Sequence, residues 1–86
     1  MATLLVFHEV DDVDAWLKAT TREEFFGPRG ITAKPFVDPS GSKRVGLIVE
    51  VPSIEAFNDA MALPEAADAE KADGVRPETI VVLVEG

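Results

Sequence analysis

With 86 residues, 16 acidic against 8 basic side chains and a net charge of −8, the chain is one domain that would repel a nucleic-acid phosphate backbone. It has no cysteine and a single histidine, which leaves no disulfide framework, no thiolate chemistry and no zinc set. The 47% hydrophobic content argues for a folded globule with apolar surface to spare for self-association. The reading is a soluble cytoplasmic protein, because Met1-Ala2-Thr3-Leu4 lacks a basic region and no apolar run approaches about 18 residues.

Ala2 to Val10, with Leu4, Leu5, Val6 and Phe7, reads as a strand apolar on both faces. Asp11-Asp12 supply an N-cap, and Val13, Trp16, Leu17 and Thr20 follow at helical spacing. These predict one helix from about Asp12 to Phe26, stopped at Gly27-Pro28. Ile31 to Val37 is a second strand that Pro35 confines to an edge or a bulge. The Asp38-Pro39-Ser40-Gly41-Ser42 turn joins it to the strand Lys43 to Val51.

That third strand organises the chain. Val45, Leu47, Val49 and Val51 give it one uniformly apolar face, and Arg44, Gly46, Ile48 and Glu50 a mixed one. Pro52-Ser53 then cap a second helix with the stripe Ile54, Phe57, Ala60 and Met61, interrupted at Leu63-Pro64. A short alanine-faced helix, Glu65 to Asp73, ends at Gly74. The last strand lies within Glu78 to Glu85, centred on Thr79 to Val84.

The order β-α-β-β-α-α-β over residues 1–86 predicts an α+β, ferredoxin-like fold: a four-stranded antiparallel sheet in the order 4-1-3-2 with its helices on one face. The first and last strands are apolar on both faces, so the uncovered face calls for a second copy of the chain, a homodimer.

The stretches Val10 to Trp16, Asp38-Pro39 through Val45-Gly46-Leu47, Val51 through Phe57, and Pro64-Glu65 through Asp73-Gly74-Val75 resemble the dimeric α+β barrel proteins, which include cofactor-free antibiotic-biosynthesis monooxygenases, muconolactone isomerase and stress-responsive barrel proteins. The resemblance spans nearly the whole chain. It implies two ferredoxin-like sheets facing each other as a barrel, with a cleft between sheet and helices in each subunit. It carries fold-level signatures and no catalytic set; the Asn, Trp and His set of the heme-degrading members has no place here, and no cofactor is implied.

Strand direction brings His8 towards Arg44 and Glu50 towards Thr3. It also brings Glu78, opening the last strand, towards His8, so a His8–Glu78 dyad is a candidate general base with its orienting partner. A structural polar pair at the sheet rim explains the same two residues. If they share a face, the carboxylate should raise the imidazole pKa. Trp16, Phe26, Phe57 and Met61, with Phe25, are candidate cleft-lining residues for an aromatic or polyketide-like compound, and core packing explains their spacing equally. Arg44 is a candidate anchor for a substrate anion, with Arg22, Arg29 and Lys34 as further scattered cations. Asp11, Asp12 and Asp14 lack the glycine and distal glutamate of a calcium loop, so no metal site is read. Two functions follow: a dimeric barrel binding a small organic molecule, or a cofactor-independent monooxygenase or isomerase with His8 as base.

Overall fold

Leu4, Val6, His8 and Val10 alternate with Thr3, Leu5, Phe7 and Glu9 along the first strand, and in the computed structural model, which describes residues 1–86, only the first set is buried. The sheet comprises β1 (Ala2–Val10), β2 (Thr32–Val37), β3 (Arg44–Val51) and β4 (Val75–Val84) in the order β2-β3-β1-β4, with every neighbouring pair antiparallel. This is the predicted 4-1-3-2 arrangement and an α+β, ferredoxin-like architecture. The β1–β3 register pairs Thr3 with Glu50 and His8 with Val45. The apolar face of β3, Val45, Leu47, Val49 and Val51, is buried with the inward residues of β1. Pro35 is accommodated because β2 is an edge strand.

The helices are α1 (Val13–Lys18), α2 (Thr21–Phe26), α3 (Ile54–Met61) and α4 (Pro64–Ala72). The single helix expected from Asp12 to Phe26 is therefore two. Ala19 turns extended, at φ −67° and ψ 138°. In an unbroken helix the step of nine positions from Trp16 to Phe25 would make about two and a half turns and point the two rings in opposite directions. Breaking the helix lets Trp16, Phe25 and Phe26 all enter one core. The α-helix ends at Phe26, at the expected Gly27-Pro28 stop. Gly27 to Arg29 continue as a 3₁₀ turn, and Gly30 ends it at φ 71°, a left-handed value that glycine adopts without steric cost. Asp12 and Ser53 cap α1 and α3 by accepting from the backbone N–H of Ala15 and Ala56, each at 3.0 Å. No helix is long and apolar enough to cross a membrane.

The helices cover one face of the sheet. On the other, Leu5, Phe7, Phe36, Val81 and Leu83 are each 40–51% exposed around a half-buried Ile48. Phe7 lies across Gly46, where a Cβ would meet the ring at 3.4 Å. The total accessible surface, 5457 Å², is about 10% above the roughly 5,000 Å² expected for a monomer of this mass.

The β2–β3 turn is held by one carboxylate. Asp38 accepts from the Ser40 N–H and hydroxyl, at 2.8 and 2.6 Å, and from the Ser42 hydroxyl. These bonds lower its pKa to about 2. A carboxyl-detected NMR titration should find Asp38 well below the 3.8 of an ordinary aspartate. Its contribution to stability is present above that value and lost as pH falls through about 2. An ordinary midpoint would remove the serine clamp.

Candidate functional site

The inward alternation of β1 places His8 between Val6 and Val10 on the helix-covered face, where it is only 5% exposed. The strand beside it is irregular: β4 takes residues 76 to 81 to cover what β1 covers from 7 to 9. Thr79 fastens this bulge, its Oγ1 accepting from the Glu9 N–H at 2.8 Å and donating to the Arg76 carbonyl at 2.6 Å. Arg76 in turn pairs with Asp11 at 3.0 Å and Glu9 at 3.5 Å. The polar rim of the sheet is thus self-satisfied, and His8 lies inside it.

Above His8 the inward face of α1 supplies Trp16, ring centroids 5.6 Å apart in an edge-to-face arrangement. The Arg22 guanidinium from the first turn of α2 stacks over the Trp16 ring, its Cζ 4.6 Å from the centroid. These groups open onto a cavity of about 270 Å³ between sheet and helices. Its walls are chiefly apolar: Val6, Leu47, Val49, Ile80 and Val82 from the sheet, and Trp16, Phe25, Phe26, Phe57, Met61 and Ala66 from the helices. Asn58, Glu70 and Asp73, the last at the C-terminal end of α4, complete the polar lining with His8 and Arg22.

Three buried side-chain atoms in the molecule lack a hydrogen-bond partner: His8 Nδ1, Arg22 Nη1 and Asp73 Oδ1. All three residues line this one cavity. Burial pushes the His8 pKa below 6.5, reinforced by the Arg22 charge and opposed by the Glu9 backbone and Asp73. Burial also raises Asp73 and Glu70; for Asp73, Thr21, Arg22 and His8 act against it. Burial thus favours the uncharged imidazole at neutral pH, on a cavity-lining residue whose Nδ1 has no hydrogen-bond partner.

Of the residues singled out in the sequence, His8, Trp16, Arg22, Phe25, Phe26, Phe57 and Met61 meet here, and Arg29, Lys34, Arg44 and Glu78 do not. Arg44 is exposed on β3, paired across the sheet with Glu9 on the opposite face. Glu78 is exposed in the β4 bulge, and the side-chain charges that act on His8 are Arg22 and Asp73. The expected upward shift of His8 is accordingly reversed. Asp73, Asn58 and Glu70 were not singled out. Asp73 reads in the sequence as helix-ending punctuation before Gly74, and nothing in its spacing marks it as facing a cavity.

An NMR titration of the lone histidine should give a midpoint below 6.5. It should fall further in Asp73→Asn, rise in Arg22→Gln and stay unmoved in Glu78→Gln. Because folded His8 binds protons less readily than the unfolded chain, its contribution to stability is present above about pH 6.5 and is lost as pH falls towards the folded value. Asp73 and Glu70, raised on folding, contribute with the opposite sign: fully below their ordinary 3.8 and 4.5 and lost as pH rises through their folded values. A midpoint above 6.5 that Glu78→Gln lowers would restore the original pairing.

No family model and no curated protein matches the chain. Solved structures do. A structure described as an antibiotic biosynthesis monooxygenase superimposes with a TM-score of 0.66 at 13% identity, over 100% of this chain and 97% of that one. Protein YjcS, from structural genomics, gives 0.64 at 13% identity over 99% and 97%. Rv0793 from Mycobacterium tuberculosis gives 0.61 at 14% over 100% and 94%. At these identities what is shared is the fold, along nearly the whole of each chain.

Proposed function

We propose that this chain is a small cytoplasmic homodimer that binds a compact organic molecule in the cavity between sheet and helices. One observation carries the reading: the three unpartnered buried polar atoms all belong to residues lining a single apolar-walled cavity. Buried polar groups left without partners are costly, and a ligand supplying those partners recovers that cost. The volume, about 270 Å³, sits just under the range of about 300–1,000 Å³ for sites of drug-sized ligands, so the occupant is small. The apolar face opposite the helices supports the dimer, in which two sheets would close as a barrel.

The lone Trp16 lines the cavity, so its indole N–H signal reports occupancy. Small aromatic compounds should shift it at millimolar concentration in the wild type and not in Ala69→Phe, which fills the cavity from α4. Shifts that persist in Ala69→Phe would place the ligand elsewhere.

A second reading has its own support in His8, held neutral by burial with Nδ1 free, and in the activity ascribed to one of the solved neighbours. Here the chain is a cofactor-independent monooxygenase or isomerase acting on an aromatic or polyketide-like substrate, with His8 removing a proton next to a carbonyl. Deuterium exchange at the enolisable carbon of 2-tetralone in D₂O measures that step alone. It should be accelerated by the wild type and fall by about 100-fold in His8→Ala. Equal exchange rates with both proteins would leave the binding reading alone.

A further inference from the structure

We infer that the cavity reads a neutral polar edge in which a hydrogen-bond acceptor stands beside a donor, the edge presented by a primary amide, a lactam or a hydroxy-carbonyl compound on a small apolar body. This rests on the cavity being the ligand site, and it specifies what the ligand must carry. The three unsatisfied atoms differ in kind. Arg22 Nη1 can only donate, so it requires an acceptor. Asp73 Oδ1, as a carboxylate oxygen, requires a donor. His8 Nδ1, on an imidazole 5% exposed, serves as either according to its tautomer.

Single-function ligands fail one of these demands. A carboxylate would satisfy Arg22 but bring a third acidic group to a cavity that Asp73 and Glu70 already line, and it would leave Asp73 without a donor. An ammonium would satisfy Asp73 and leave Arg22 without an acceptor. It would also find the Trp16 face occupied, since the guanidinium sits 4.6 Å above that ring. A simple ketone serves Arg22 alone. An amide edge offers its carbonyl oxygen to Arg22 and its N–H to Asp73 with no added charge, and leaves His8 to either partner.

Five compounds of similar size separate these cases: benzamide, acetophenone, benzoate, benzylammonium and toluene, each titrated against the Trp16 indole N–H and the His8 ring signals. Benzamide should bind about tenfold tighter than acetophenone, because a site built to pair a polar group discriminates against the analogue that lacks it. Benzoate and benzylammonium should be weaker than benzamide. In Asp73→Ala the preference for benzamide over acetophenone should shrink to within about twofold, and in Arg22→Met both carbonyl compounds should lose affinity relative to toluene. Benzoate binding tightest would make Arg22 an anion anchor, and benzylammonium binding tightest would make Asp73 and Glu70 a cation seat. Either result, or equal affinity for benzamide and acetophenone, overturns the inference while the cavity remains a ligand site. If no compound, toluene included, moves the Trp16 signal, the cavity itself is not the site. Should either variant fail to fold, the wild-type ranking decides alone.

Discussion

Leu5→Glu is expected to turn a particle of about twice the 9.3 kDa chain mass into a monomer at micromolar concentration in sedimentation. Leu5 lies on the open face with Ile48 on one side and Leu83 on the other, and Phe7, Phe36 and Val81 extend the same apolar surface. A specific interface of ordinary size buries about 800 Å² per partner, and the face has the composition to supply it. Two-fold symmetry would place two new carboxylates in a dry seam with no counter-charge, at several kcal/mol each. Ile48→Glu is the instructive comparison, because Lys34 pairs directly across from Ile48 on β2 and can meet the new charge. The milder variant should be Ile48→Glu. A wild type that is monomeric at this concentration would mean the face is not a seam between copies. An unchanged dimer in Leu5→Glu would place the interface elsewhere.

The sheet was legible in the sequence because its signals are local and redundant. Val45, Leu47, Val49 and Val51 at every second position of β3, the proline of β2 and the serine-glycine turn between them marked two strands and an edge; the order of elements implied the sheet order, and the doubly apolar first and last strands implied a face that the helices leave uncovered. The helix break was not legible. It arises from the demand that Trp16, Phe25 and Phe26 share a core, a tertiary constraint that overrides continuous local propensity. The site was half legible for a related reason. Aromatic and aliphatic lining residues follow helical and strand periods, so Trp16, Phe26, Phe57 and Met61 could be named. Arg22 was named only as one scattered cation and Asp73 not at all; they line one cavity because α2 packs beside α4, whose C-terminal end carries Asp73. Their polar neighbours in sequence hide them among solvated charges. The His8–Glu78 pairing failed on the β4 bulge, since three inserted residues carry Glu78 out to solvent, a departure from register that alternation alone does not reveal.

Trp16→Ala should cost about 3–5 kcal/mol of stability, the loss typical of deleting a fully buried aromatic. Trp16 is 1% exposed, and its ring is both the edge partner of His8 and the platform beneath Arg22. Removing it leaves a void together with a guanidinium half sunk into the protein and deprived of its stacking surface. For a domain of this size, that corresponds to a fall in melting temperature of roughly 12–40 °C, a large share of a total stability of about 5–15 kcal/mol. Trp16→Phe keeps an aromatic face and should lose clearly less. The void has the shape of what was removed, and apolar engineered cavities take up matching rings. Millimolar indole should therefore restore part of the melting temperature of Trp16→Ala and leave the wild type little changed. Rescue by indole with continued failure to bind benzamide would separate the two duties of this residue, filling the core and seating the Arg22 that meets the ligand. A melting temperature within a few degrees of wild type would show that the cluster around Trp16 is not what holds the helices to the sheet.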